Sequence, residues 1–266
     1  MKNFENIIFE SNDDIGIIWL NRPDKRNALN EQMISEIIEV LTHKEYLDGL
    51  KVLLLRGKGS VFCAGADLNW MKEAANYNYQ QNYQESRNLS LCFQSLYDCP
   101  IPTIAIVHKA AIGGAVGLLA ASDMAFATDD CVFALPELRL GLIPACISPY
   151  IIKRIGEYNS KFLMYTGKTF NAQDAITYHL INDVYDSSSI DAKVNEIIQH
   201  LLLNGSNAVK HCKALINKVC NVLSHEEAMD YAIKMIAEIR LSEEGQEGMS
   251  AFLEKRLPSW IKSKNG

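Results

Sequence analysis

Three short segments of this chain combine residue types that can do chemistry, each by breaking its own local rule. The first is Cys63-Ala64-Gly65-Ala66-Asp67-Leu68. Gly65 frees the backbone there, and Asp67 stands where an N-cap would open the next helix. N–H groups at such a start point outward without partners and can receive an anion or a developing oxyanion. An ordinary capped helix start carries the same letters. The second segment, Ile112-Gly113-Gly114-Ala115, opens an apolar helix. Glycine inside a helix costs about 1 kcal/mol relative to alanine, so the pair is kept for close backbone approach or for tight helix–sheet packing. Two N–H-rich turns at two helix starts are the raw material of an oxyanion hole for acyl chemistry. The third segment, Phe133 to Gly141, sets Glu137 among apolar neighbours. An unpaired carboxylate is costly there and its pKa rises, as a general acid working near neutrality requires. The alternative for Glu137 is a salt bridge to Arg139 or another cation.

Other candidates carry less. Gly57-Lys58-Gly59-Ser60 follows a strand, but Phe62 occupies the place of the third glycine in a dinucleotide loop, and the Walker spacing is missing. No His-Glu-x-x-His, Gly-x-Ser-x-Gly or histidine pair at metal spacing occurs, and the six histidines are dispersed. Serine, cysteine and metal catalysis therefore have no positive support. The basic cluster Arg22, Lys25, Arg26 is either a solvated turn or a holder for a phosphate tail, and Phe93 and Tyr97 are expected in the core.

The elements that must position these residues follow from periodicity. Ile7 to Glu10 and Ile15 to Leu20 read as a hairpin around Asn12-Asp13-Asp14. Lys51 to Arg56, Thr103 to Val107, Met124 to Thr128 and Cys131 to Leu135 read as further strands. Leu29 to Leu41, Leu68 to Ala75, Tyr79 to Tyr97 and Gly114 to Ser122 read as the helices between them. From Ser148 the pattern turns almost wholly helical, through 151–154, 160–166, 172–178, 190–203, 208–223 and 225–241. Strands joined by helices imply parallel pairing with crossovers. The expectation is an α/β core over residues 1–200 and a helical region over 201–266, with no low-complexity linker.

Composition closes off several function classes. With 266 residues and a net charge of −6, the chain is poorly suited to a nucleic-acid face, which needs clustered Lys and Arg. A small anionic ligand needs only two or three local cations and stays open. The seven scattered cysteines, without a Cys-x-x-Cys pair, fit reduced thiols in a cytoplasmic setting. The apolar run Ala110 to Ala121 falls short of the ~20 residues of a membrane span, and Met1 to Asn6 has no apolar core of the signal-peptide kind. A soluble, cytoplasmic protein is expected.

Taken together the motifs resemble a known family. Asn21-Arg22-Pro23 with Asn27-Ala28-Leu29, Cys63 to Leu68, Gly113-Gly114, Pro136-Glu137 with Gly141-Leu142-Ile143-Pro144, and Thr166-Gly167 with Ala172 and Ala175 occur in the order of the enoyl-CoA hydratase/isomerase (crotonase) family. So does Glu247 to Phe252. Within the family, Gly65 to Met71 and Arg139 to Tyr150 resemble the bacterial methylglutaconyl-CoA hydratase branch of leucine and isovalerate breakdown. The resemblance implies an α/β crotonase-like spiral of ββα units and a helical C-terminal region that mediates trimerisation, often into a dimer of trimers. It implies an acyl-CoA thioester as the only small-molecule partner, with no separate cofactor, no metal, no nucleic acid and no membrane. The thioester oxygen would lie between the N–H groups of Ala66 and Gly114, with Glu137 as acid/base. Ala28, Ala64, Asp67, Leu68, Asn69 and Gly113 would line the substrate, with Arg22, Lys25 and Arg26 near the CoA phosphates.

Two departures bear on mechanism. Hydratases of the family carry a second glutamate on the helix after the double glycine, where this chain has Gly117, and a glycine usual before the turn is Lys109. Hydration needs water at Cβ, a proton at Cα and a stabilised enolate oxygen. Isomerisation of a 3-enoyl thioester needs one base that moves a proton between carbons. The lone Glu137 favours isomerisation on chemistry, while the branch motifs favour hydration, and hydration is the leading expectation. A catalytically silent CoA-binding scaffold is a third reading, opposed by Glu137 in its apolar setting.

Overall fold

The computed structural model describes residues 3–261. The ends of the segments read as the N-terminal stretch and the helical C-terminal region, residues 1–2 and 262–266, lie outside the described residues. The first hairpin forms as expected, β1 (Ile7–Asn12) antiparallel to β2 (Ile15–Leu20). In β2, Gly16, Ile18 and Leu20 alternate inward, the period-2 signature of a half-buried strand. β3 (Val52–Gly57) and β4 (Thr103–Val107) are buried almost throughout, as central parallel strands covered on both faces must be.

Thereafter each turn of the chain lays one strand in a large sheet and one in a small sheet. β5 (Ala110–Ile112), β7 (Val132–Ala134) and β8 (Phe170–Asn171) form the small sheet in that order. β6 (Met124–Thr128) and β9 (Asp183–Tyr185) complete the large one, whose order is β1-β2-β3-β4-β6-β9, parallel from β2 onward. An isolated parallel bridge between Cys63 and Ala111 adds the segment after β3 to the edge of the small sheet.

The helices are α1 (Glu31–Thr42), α2 (Lys44–Leu47), α3 (Leu68–Ala74), α4 (Tyr79–Tyr97), α5 (Gly114–Ala121), α6 (Ser148–Thr166), α7 (Ala172–Thr177), α8 (Ile190–Leu202), α9 (Ser206–Asn221), α10 (His225–Leu241) and α11 (Glu243–Leu253). Side chains fix the starts that matter to the site. Asn30 accepts from the Met33 N–H at 2.9 Å, Asp67 from the Asn69 N–H at 2.8 Å, and Asn78 and Gln81 form a reciprocal capping box.

The structure departs from the sequence reading in several places, and β5 and α2 are among the elements that were not read. The region after Ser148 is not wholly helical, since β8 and β9 return to the two sheets. The stretches 151–154 and 160–166 belong to one span, α6, broken internally at Gly156 (φ 75°, ψ 165°). A helix not read from sequence, α11, closes the described chain. Two compact units result, one of the described residues to Cys99 with Thr103–Val194, the other of Pro100–Pro102 with the residues from Asn195. Within the second unit the Lys213 ammonium donates to the Ile101 carbonyl at 3.2 Å, and Arg256 forks onto both Glu247 oxygens at 2.7 and 2.8 Å.

Asn27 holds the site-bearing loops of the first unit together. Completely buried and at φ 53°, it accepts the Arg22 N–H at 2.8 Å and donates to the Lys58 and Val61 carbonyls at 2.7 and 2.9 Å. Asparagine tolerates this left-handed backbone better than most residues. Asn27→Ala removes all three bonds and leaves their backbone partners unsatisfied, so urea denaturation should find about 3 kcal/mol less stability. A loss below ~0.5 kcal/mol would mean water replaces the side chain.

Candidate active site

Two backbone zippers build the site. Leu29 pairs with Ala66 in a parallel bridge, through Leu29 N–H to Gly65 O and Asp67 N–H to Leu29 O, both 2.8 Å. Cys63 pairs with Ala111 through Cys63 N–H to Ala110 O at 3.1 Å and Ile112 N–H to Cys63 O at 3.3 Å. In a parallel bridge the residue at the centre keeps its own N–H free, so the Ala66 N–H has no acceptor among the described residues. Gly114, the first residue of α5, has no intrahelical acceptor for its N–H either.

The double glycine is required by space and by backbone. Gly113 sits at φ 55°, and a Cβ there would stand 3.0 Å from Glu137 Oε1; one on Gly114 would meet Leu29 Cδ1 at 2.9 Å. Helix α5 therefore starts hard against both the carboxyl group and the Leu29 wall.

Glu137 opens a short 3-10 turn, Glu137–Leu140, after β7. Its Oε2 is buried and has no hydrogen-bond partner. Burial pushes its carboxyl above the ordinary carboxylate range. The alternative salt bridge to Arg139 does not form: the Arg139 guanidinium turns to the Thr166 carbonyl, 3.4 Å away. Glu137, Ala66 and Gly114 line one cavity of about 340 Å³. Its remaining wall comes from Leu29, from Trp70 on α3, from Ser86 and Leu89 on α4, and from the loop Leu142–Ile147. No basic side chain is in that lining.

A second groove of about 420 Å³ is lined by Lys25, Arg26, Ala28, Ala64, Leu68 and Asn69, together with Asp24 and Asp67. Ala66 borders both spaces, so groove and cavity adjoin at this residue. Arg22 is held differently from Lys25 and Arg26. Its guanidinium is committed internally, to Asp67 Oδ2 at 2.7 Å and the Ala28 carbonyl at 2.6 Å, and is largely buried. Burial works to raise the Asp67 carboxyl, but the Arg22 hydrogen bond and charge and the Asn69 N–H outweigh it and hold the group below its usual range. Arg22 is a brace between the two loops, and Lys25 and Arg26 are the exposed cations of the turn.

Sequence reasoning oriented neither Trp70, Ser86 and Leu89 nor the 142–147 loop. Trp70 and Leu142-Ile143-Pro144 lay inside the motifs, whereas Ser86 and Leu89 carried no local signal. Gly117 also gains a physical account. A Cβ there would lie 2.2 Å from Ile147 Cγ2 and 3.0 Å from Phe93 Cε1, so Ile147 fills the space that a second carboxylate on α5 would need. Lys109 adopts φ 59°, a backbone suited to glycine, with its ammonium anchored on Asp130 at 2.6 Å.

Comparison with known proteins follows the same lines. The family model for enoyl-CoA hydratase/isomerase matches residues 10–263. A crystal structure of an enoyl-CoA hydratase from Shewanella pealeana superposes with a TM-score of 0.92 at 39% identity, covering 97% of this chain and 96% of that one. Crotonyl-CoA hydratase of Syntrophomonas wolfei is 28% identical over 97% of this chain and 98% of its own length. The short-chain-enoyl-CoA hydratase of Clostridium acetobutylicum is likewise 28% identical, over 97% and 98%. The chain belongs to the enoyl-CoA hydratase/isomerase family and has the crotonase fold; it is an enzyme of that family. Among the described residues no helix is long and apolar enough to cross a membrane, and no group of His, Cys, Asp and Glu could hold a metal ion.

The buried, unpaired Glu137 carboxyl works against stability. Below the unfolded-state pKa both states are protonated and nothing is lost. As pH rises, the unfolded chain ionises first because the folded pKa is raised, so stability falls until the folded group has also titrated. Glu137→Gln removes this penalty. Its melting temperature should match wild type near pH 4 and exceed it at pH 7; an equal or lower value at pH 7 would show that the carboxyl is stabilised.

Proposed function

We propose that this enzyme is a hydratase that adds water to a 2-enoyl-CoA thioester, with 3-methylglutaconyl-CoA of leucine and isovalerate breakdown as its substrate. The observation that carries the reading is the meeting of three groups in one cavity: the buried Glu137 carboxyl and the two backbone N–H groups of Ala66 and Gly114. The acyl group occupies the apolar cavity and the CoA arm the adjoining groove, with the thioester carbonyl where the two meet at Ala66. Ala28, Ala64, Asp67, Leu68 and Asn69 border the arm, and Lys25 and Arg26 receive its phosphates. Gly113 holds the helix start against Glu137. The named hydratases among its relatives support the reaction class, and the Gly65–Met71 and Arg139–Tyr150 motifs support the acyl group. No separate cofactor enters the chemistry, since CoA arrives with the substrate. We assign the enzyme to the cytoplasm as a homotrimer or dimer of trimers.

In this mechanism the thioester oxygen accepts from the Ala66 and Gly114 N–H groups as negative charge develops on it, each such donor contributing about 3–4 kcal/mol to the transition state. The Glu137 carboxylate takes a proton from the attacking water as its oxygen bonds to Cβ. The protonated carboxyl then delivers that proton to Cα as the enolate collapses. The group ends as it began, and one carboxyl serves as base and then acid. The pKa raised by burial suits both halves of this cycle.

A second reading, 3-enoyl-CoA isomerisation, is favoured by Gly117. With Ile147 in the place of a second carboxylate, Glu137 is well matched to carrying one proton from Cα to Cγ. The decisive experiment incubates the purified enzyme with 3-methylglutaconyl-CoA, crotonyl-CoA and a 3-enoyl-CoA and identifies products by mass. Hydration gains one water and is expected to be fastest on 3-methylglutaconyl-CoA. Migration of the double bond without mass change would establish the isomerase instead. In either case Glu137→Gln should lower kcat by about 10³-fold while thioester binding persists, and full activity in that variant would remove Glu137 from the mechanism.

Gly117→Glu should not restore a two-carboxylate site by itself. The Ile147 contact makes it an overpacking change, expected to cost about 1–3 kcal/mol in denaturant titration. Ile147→Gly in the same chain should recover part of that loss, and additive losses would show that the two positions do not meet.

A further inference from the structure

A second pocket, of about 580 Å³, adjoins the cavity that holds Glu137, and its chemistry is the opposite. Asn30, Glu31, Gln32 and Ser35 line it from the start of α1, and Glu73 lines it from α3. Apart from Trp70, every residue of its lining is polar or charged. The Glu137 cavity, at about 340 Å³, is walled mainly by apolar side chains such as Leu29, Leu89 and Ile147.

Two features divide these spaces. One is the backbone of Leu29-Asn30, since Leu29 lines the apolar cavity and Asn30 the polar pocket. That backbone is fastened, by the Leu29–Ala66 bridge on one residue and by the Asn30 cap of the Met33 N–H on the next. The other is the side chain of Trp70, the one residue that lines both spaces. Trp70 is half-buried and stands in the first turn of α3, a helix with no buried residue of its own. The Met71 N–H donates to the Asp67 carbonyl at 2.9 Å, so the turn that carries the indole is closed directly onto the site loop.

We propose that Trp70 sets the acyl-chain length of the enzyme, its indole being the partition that ends the apolar cavity. This inference rests on the thioester reading above and assigns a specificity-determining residue to it. A short acyl group stays on the apolar side of the ring. A longer one has to displace the indole and push methylene groups among the amides and carboxylates beyond it. Those polar groups would lose water without gaining a hydrogen bond, which offsets the gain from burying the added carbons. An indole suits this role because it covers a large area with a rigid plane. Truncating it joins the two spaces, and the added carbons then find room without displacing a ring.

Saturated thioesters test the partition without any turnover, so the outcome does not depend on whether the enzyme hydrates or isomerises. Butyryl-, hexanoyl- and decanoyl-CoA are titrated calorimetrically into wild type, Trp70→Phe and Trp70→Ala, with melting curves to confirm folding. Wild type should favour butyryl-CoA over decanoyl-CoA, and Trp70→Ala should shift that ratio about tenfold toward decanoyl-CoA. Trp70→Phe keeps a ring in the wall and should keep most of the wild-type preference. Should the alanine variant not fold, Trp70→Leu removes less of the wall and should shift the ratio in the same direction. A wild type that binds all three equally would overturn the partition. So would a truncation that leaves the ratio unchanged or weakens all three by one factor, as a merely structural tryptophan would. Failure of every thioester to bind wild type would overturn the thioester reading itself, and the partition with it.

Discussion

Everything at the site depends on one constraint: two loops and a helix start must be fastened through their backbones while two particular N–H groups are left over. The Leu29–Ala66 bridge spends the amides of Leu29 and Asp67 and spares that of Ala66, the Cys63–Ala111 bridge fastens the loop to β5, and Gly114 keeps its N–H as the first residue of α5. Side-chain capping could not do this, since a cap satisfies the very donors that the reaction needs. Asp67 shows the distinction. It caps α3 through the Asn69 N–H and leaves the amide of its neighbour Ala66 untouched. Arg22 then ties Asp67 to the Ala28 carbonyl, so a charged brace stands at one side of the zipper and the buried Asn27 amide at the other.

The rigidity of that frame lets Glu137 remain unpaired. A buried carboxyl without a partner would ordinarily draw a cation or a water-filled gap toward itself. Here the nearest basic residue in sequence, Arg139, is directed to the Thr166 carbonyl at the far side of its own short turn. The glycine at 113 lets α5 approach to within contact of the carboxyl without covering it.

Much of this was legible in the chain, for definite reasons. The bounds of β4, β6, α4 and α10 coincide with those read from the sequence because each is a fully apolar or strongly periodic run. β5, β8 and β9 escaped because two or three residues cannot display an alternation, and α11 because Gly245 and Gly248 dilute its pattern. At the site, Ala66, Asp67, Gly113, Gly114 and Glu137 declared themselves as local exceptions, a glycine in a helix start or an acid in an apolar run. The Arg22–Asp67 brace was not legible because the two partners lie 45 residues apart.

Through-space packing also explains the bare backbone at 117. Ile147 terminates the loop before α6 as that helix's N-cap residue, and it is almost fully buried against Gly117. Its position is therefore set by two helices at once, and a larger side chain at 117 would have to displace one of them. Ile147 and Phe93 close apolar side chains over the bare backbone at 117. Burial is also what raises the Glu137 carboxyl. The bare backbone at 117 and the side chain of Ile147 are thus one packing arrangement, and Ile147 also stands in the wall of the cavity that Glu137 lines.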